Sequence, residues 1–211
     1  MKSLKEMQET ALDATKPGTV NPVEMLRLEA LTSFEKYTKL MFKCQYKRSF
    51  IVAEHHKKMF EVLQDVVDGK ITRLIINIAP RYGKTELVIK SFISWAFALN
   101  PRCRFLHLSY SDILVNDNSD TVRNIMSEEL YKTLFPNSAL ASEKGSAKRW
   151  KTKAGGELYA VSTQGQVTGF GAGAVDEEID KMDGGNDIFV FDDHTNEMLK
   201  MIDAKTNIFQ G

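Results

Sequence analysis

One segment restricts the fold of this chain more than any other. Residues 73–79 read Arg-Leu-Ile-Ile-Asn-Ile-Ala, a short and almost wholly apolar stretch rich in β-branched side chains. Such a run predicts a strand buried on both faces of a parallel sheet. The next residues, Pro80, Arg81, Tyr82 and Gly83, form a loop, and an amphipathic helix is expected over 84–99, closed by Asn100 and Pro101. A strand delivered by a tight loop into a helix is the building unit of α/β architecture.

The flanking pattern extends the unit. Residues 104–109, Arg-Phe-Leu-His-Leu-Ser, predict a second strand, followed by a long helix over 112–134 that Phe135, Pro136 and Asn137 close. Residues 138–156 read as a lysine-rich loop or β-excursion, and 157–162 and 188–192 as two further strands. Strand, helix, strand, helix and then strands is the order of a doubly wound fold. Ahead of this core, residues 1–21 lack a periodic apolar face. From Pro22 onward Met25, Leu28, Leu31, Phe34 and Tyr37 recur at helical spacing. A second helix is expected over 54–68, with Met59, Phe60, Leu63, Val66 and Val67 on one side, stopped by Asp68-Gly69-Lys70. The division is therefore a leader and helical lead-in over 1–50 and an α/β core over 51–211.

Composition excludes some classes. The 28 basic and 28 acidic residues cancel, so no global basic surplus drives contact with nucleic acid; a local face is still available for that purpose. The longest apolar stretches, such as 92–99, fall well short of the ~20 residues a membrane span needs. The polar beginning carries no secretory core. Cys44 and Cys103 form no CxxC pair and read as reduced structural thiols.

The chemistry concentrates where the loop meets the helix. Backbone N–H groups at a helix start are unpaired, and the helix dipole favours an anion there. Gly83 lets the backbone approach a phosphate, Lys84 would set an ammonium on the β- and γ-phosphates, and Thr85 would offer a hydroxyl to Mg²⁺. Ile78 occupies the position of the first glycine in the usual G-x-x-x-x-G-K-[ST] pattern. A magnesium shell also needs a carboxylate at the end of a neighbouring buried strand. Ile188-Phe-Val-Phe-Asp-Asp193 has that form: Asp192 as the metal-shell acid and Asp193 as general base.

Taken together, Pro-Arg-Tyr-Gly-Lys-Thr-Glu at 80–86, Phe-Leu-His-Leu-Ser-Tyr-Ser at 105–111 and Gly-Gln-Val-Thr-Gly-Phe-Gly-Ala-Gly at 165–173 resemble tailed-bacteriophage terminase large subunits. The run-ins Ala53-Glu-His-His-Lys57 and 73–77 add to the likeness, which covers roughly residues 50–193. The resemblance implies a P-loop NTPase of the additional-strand (ASCE, RecA-like) type, with a mainly parallel central sheet flanked by helices. It implies an ATPase, using ATP and Mg²⁺, that translocates double-stranded DNA into a procapsid. Its partners would be the portal protein, the small terminase subunit and further copies of itself in a ring, in the host cytoplasm and without a membrane.

The resemblance also suggests residue roles. Arg81 would sense the γ-phosphate or couple hydrolysis to movement, as an always-charged planar fork suits. Pro80, Arg81, Tyr82, Gly83, Lys84, Thr85 and Glu86 would line the nucleotide site, with Glu54 or His56 near the adenine. The catalytic set would be Lys84, Arg81 and Asp193, and the metal set Thr85 and Asp192. Asp193 departs from the glutamate usual at that place, and Gly211 falls before the coupling strand and nuclease that the family carries.

Other residues are candidates. His107, inside an apolar strand, is expected to be a satisfied core residue, and His194 to cap a helix. Lys144, Lys148, Arg149, Trp150, Lys151 and Lys153 form the strongest basic cluster, which suits DNA phosphates and equally a solvated charged hairpin. An arginine donated to a neighbouring subunit would be sought among Arg102, Arg104, Arg123 and Arg149, with Arg123 on a surface helix. The competing readings are a helicase-like ATPase, whose motif set is not found, and a nucleotide-binding assembly module without turnover.

Overall fold

The computed structural model describes residues 21–142, 145–162 and 187–191, the last stretch by its backbone. The expectations for the leader, for Lys144, for the glycine-rich run 165–173 and for Asp192, Asp193 and His194 lie outside the described residues.

The lead-in is helical but is broken where periodicity alone gave no break. Helix α1 spans Pro22–Thr32 and α2 spans Phe34–Tyr46. Ser33 ends the first in an extended conformation and caps the second, its hydroxyl accepting the N–H of Lys36 at 3.3 Å. The apolar spacing survives the break, so both helices still point their faces inward. Helix α3 spans Glu54–Val67, and Gly69 follows at φ +74°, the left-handed stop expected there.

The stretch 73–79 forms no strand, contrary to expectation. Leu74, Ile76 and Ile78 pack half-buried against the main core, whereas Ile75 is 81% exposed and Asn77 and Ala79 are exposed. Burial alternates with period two, as in an extended chain lying with one face on the core. β-Branched side chains favour an extended backbone, but a strand also needs a ladder partner, and none pairs with this stretch among the described residues.

Beyond the loop the chain is helical throughout 85–99. Thr85–Ser91 is wound as a π-helix, a form often found near functional sites. It runs directly into α4, Phe92–Leu99, which is buried almost all round and so sits inside the helical layer. Strand β1 follows at Arg104–Ser109. The expected long helix is two: α5 at Asp112–Ser127 and α6 at Glu129–Leu134, separated by the extended residue Glu128. Strands β2, Arg149–Lys151, β3, Glu157–Ser162, and β4, Asp187–Phe191, complete the elements.

The sheet order is β2-β3-β1-β4. β1 is parallel to both β3 and β4, and β2 is an antiparallel edge on β3. Parallel neighbours require crossovers, which is why β1 and β3 are separated by α5 and α6. Arg104 pairs with Glu157 and Ser109 with Ser162; on the other side Leu108 pairs with Phe191. The carboxyl ends of three strands therefore come together.

The main core lies between the helices and one sheet face. Trp95, Tyr37, Phe34, Phe97, Phe105 and Tyr131 are all fully buried there. Phe34 meets Phe60 and Phe92 edge-on, with ring centroids 5.5 and 5.9 Å away. Several polar atoms inside this region are paired, whereas the buried Thr38 hydroxyl has no partner among the described residues. Trp95 Nε1 donates to the Ala30 carbonyl at 2.8 Å, and Tyr37 Oη to Ser94 Oγ at 2.7 Å. Tyr131 Oη donates to the Ser94 carbonyl at 2.9 Å. The opposite sheet face carries a small cluster of Leu106, Leu108 and Val161.

Candidate functional site

The loop 80–84 joins the half-buried stretch 73–79 to the helical run at Thr85. Two departures from ordinary backbone, on either side of Tyr82, shape it: Arg81 has φ +70° and Gly83 has φ +81°. Glycine takes this region freely, but a residue with a Cβ does so at a cost of roughly 1–2 kcal/mol. Arg81 is thus held in a strained conformation of the kind that concentrates at ligand sites. The helical hydrogen bonding begins at once, with Leu87 N–H donating to the Gly83 carbonyl at 3.0 Å.

The expected site residues fall into three groups. Pro80, Arg81 and Tyr82 are exposed along the loop, whereas Gly83, Lys84 and Thr85 are half-buried at its junction with the helix. Glu86 points away from them: its carboxylate accepts from Tyr46 Oη at 3.2 Å and pairs with Lys90 at 3.0 Å. Burial opposes the Lys90 charge, but Glu86 outweighs it and holds that ammonium above its usual pKa. Burial and the same carboxylate push the Tyr46 hydroxyl up. Glu86 thereby ties the helix to α2.

His56 comes beside the loop from α3. Its Nδ1 accepts the Ala53 N–H at 3.0 Å, and its Nε2 lies 3.2 Å from the Tyr82 carbonyl oxygen. Both ring nitrogens are therefore occupied by backbone, so a hydrogen bond to a base would have to displace one of them. The His55 ring lies 3.9 Å from that of His56 and 5.3 Å from that of Tyr82, and Phe50 closes the other side at 5.1 Å. Burial, then the neighbouring His55, keeps the His56 pKa below the ordinary imidazole value. Glu54 faces outward and pairs with Lys57 at 2.9 Å.

Several other expectations need correction. Arg123 is buried on α5, where its guanidinium reaches Asp120 at 3.2 Å and the Gly145 carbonyl at 3.0 Å. It stitches α5 to the following loop and does not project for another subunit. Arg149 is bound to the Glu157 carboxylate and lies over the Tyr159 ring at 5.4 Å. The aromatic of the basic cluster, Trp150, is a core residue donating to Ser119 Oγ at 2.9 Å. That leaves Lys148, Lys151 and Lys153 exposed along the β2 edge. Cys44 and Cys103 are free thiols, as expected.

His107 is buried, but it is not the satisfied core residue expected. Neither ring nitrogen has a hydrogen-bond partner among the described residues, and burial lowers its pKa to about 4. Ser109 and Ser162, which pair across β1 and β3, are likewise buried with unpartnered hydroxyls. All three lie on one sheet face by register, toward the carboxyl ends of the strands. Sequence alone marked none of them as a group. The available signal was the alternation in Phe105-Leu-His-Leu-Ser109, which puts His107 and Ser109 on one side.

No His, Cys, Asp or Glu cluster able to hold a metal ion occurs among the described residues. No described helix is long and apolar enough to cross a membrane. No protein-family profile, curated protein or solved structure matches this chain.

Proposed function

We propose that the chain is the ATPase part of a DNA-packaging motor, a phosphate-loop nucleotide hydrolase that translocates double-stranded DNA. The observation that carries the nucleotide part is the junction at 81–85: two left-handed residues turn the chain into the start of a helical run that opens on Lys84 and Thr85. The donors there suit a polyphosphate: backbone N–H groups, one ammonium and one hydroxyl. Gly83 also fits, since at φ +81° it takes freely the left-handed conformation that the tight turn into the helix requires.

Lys84 and Thr85 would hold the phosphates and the Mg²⁺, with Asp192 completing the metal shell. When bound, ATP supplies the phosphoanhydride whose hydrolysis drives movement. Arg81, always charged, would orient the terminal phosphate, and Asp193 would take a proton from the attacking water. β4 leaves the sheet at Phe191, opposite Leu108 and next to the carboxyl end of β1. Ligands of open parallel sheets bind at this edge, which supports an acidic pair acting there. The DNA-packaging part of the reading rests on the motif resemblance at 80–86, 105–111 and 165–173.

The test is Mg-ATP binding and turnover by the 211-residue chain, with and without double-stranded DNA, beside Lys84→Ala. Binding should disappear in the variant, and DNA should raise wild-type turnover. Unchanged binding in Lys84→Ala would refute the site. Tight binding with no turnover, with or without DNA, would favour the nucleotide-binding module.

A further inference from the structure

We infer that His56 is a positioning residue that latches the phosphate loop to the start of α3 and thereby aims the Gly83 N–H. The inference rests on the nucleotide reading for its consequence but on geometry for its content. An N–H donor, that of Ala53, reaches Nδ1 at 3.0 Å, so Nδ1 presents a lone pair. In a neutral ring the proton then belongs to Nε2, which faces the Tyr82 carbonyl oxygen at 3.2 Å and donates to it. One side chain thus accepts from its own helix cap and donates to a loop 26 residues away.

The loop needs such a restraint. Tyr82 sits between Arg81 and Gly83, both in the left-handed region, and the Arg81 conformation is not one its backbone prefers. In a trans peptide the carbonyl of one residue and the N–H of the next point in opposite directions, and the chain has no cis peptide among the described residues. Drawing the Tyr82 carbonyl onto His56 therefore turns the Gly83 N–H away from α3. That N–H is one of the donors an anion at the helix start would meet. The ring also accounts for the glycine, because a Cβ at position 83 would stand 2.9 Å from His56 Nε2. Packing by Phe50 and His55 holds the imidazole in this orientation.

Two substitutions separate the halves of the latch. Asparagine places an acceptor near the Nδ1 position, and glutamine places a donor near the Nε2 position. His56→Asn should keep the Ala53 bond and the fold but bind Mg-ATP about three- to tenfold more weakly, the factor set by one net hydrogen bond. His56→Gln should bind within about threefold of wild type. Wild-type affinity in His56→Asn, or equal losses in both variants, would overturn the latch. ¹⁵N-histidine NMR of the ligand-free chain gives an independent readout. An Nε2-protonated His56 is expected, and an Nδ1-protonated ring would overturn the inference. A wild-type chain that binds no Mg-ATP would end the nucleotide reading, and the tautomer would still decide the latch.

Discussion

The surroundings of Ser94 in the helical layer and the carboxyl edge of the sheet are both buried, yet they treat polar groups in opposite ways. Around Ser94 each polar atom has a partner: the Ser94 hydroxyl accepts from Tyr37 and lies 2.8 Å from the Lys90 carbonyl, while Tyr131 donates to its backbone. Across the core, at His107, Ser109 and Ser162, four side-chain polar atoms are buried without one among the described residues. Leaving such groups unpaired costs about 1–3 kcal/mol each, so the sheet edge gives up stability that the helical layer supplies. The difference teaches that burial alone does not satisfy a polar group. His107, Ser109 and Ser162 lie on one sheet face toward the carboxyl ends of β1 and β3.

Perturbations of the two regions should therefore differ in size and in sign. The largest effect belongs to Trp95→Ala, which empties a fully buried site and frees the Ala30 carbonyl. It should cost about 3–5 kcal/mol in denaturant unfolding. A loss under about 1 kcal/mol would mean that the helical layer is not the stabilising region.

Acid comes next. His107 has a pKa of about 4 in the fold, against about 6.5 when unfolded. Its folded value is depressed, so the unfolded chain binds the extra proton. The stability associated with a neutral His107 is fully present above about pH 6.5 and is lost as pH falls through 4. The loss approaches about 3 kcal/mol at the acid limit. His107→Leu should remove this part of the acid dependence while remaining at least as stable as wild type at pH 7. An unchanged acid limb would show that His107 finds a partner.

The closest comparison is between two serines. Ser94→Ala strands the Tyr37 hydroxyl in the core and should cost about 1–3 kcal/mol. Ser162→Ala strands nothing, and should change stability by less than about 0.5 kcal/mol. Equal costs would erase the distinction between the regions.

Much of the architecture was legible in the sequence because its signals are local. Residues 104–109 and 157–162 were read with their observed bounds from short β-rich runs, and Asp68-Gly69 correctly closed α3. The breaks at Ser33 and Glu128 were missed because apolar spacing continues across both; what divides the helices is capping at one residue and extended backbone at the other. The stretch 73–79 carries a strong preference for extended chain, but ladder partners belong to the whole fold and leave no trace in the stretch itself. The same applies at the site. Gly83-Lys84-Thr85 was visible as a motif. The grip of His56 on Tyr82 joins two distant segments, and only its position three residues after the Ala53 cap hinted at it.

The central claim is that the loop at 81–85 and the residues following β4 serve one nucleotide. A crystal structure of the chain with Mg²⁺ and a non-hydrolysable ATP analogue tests it most directly. The account predicts phosphate oxygens within hydrogen-bonding distance of the Gly83, Lys84 and Thr85 N–H groups, with Asp192 facing the metal. An analogue bound elsewhere, or Asp192 out of reach of a ligand seated on Lys84, would contradict it.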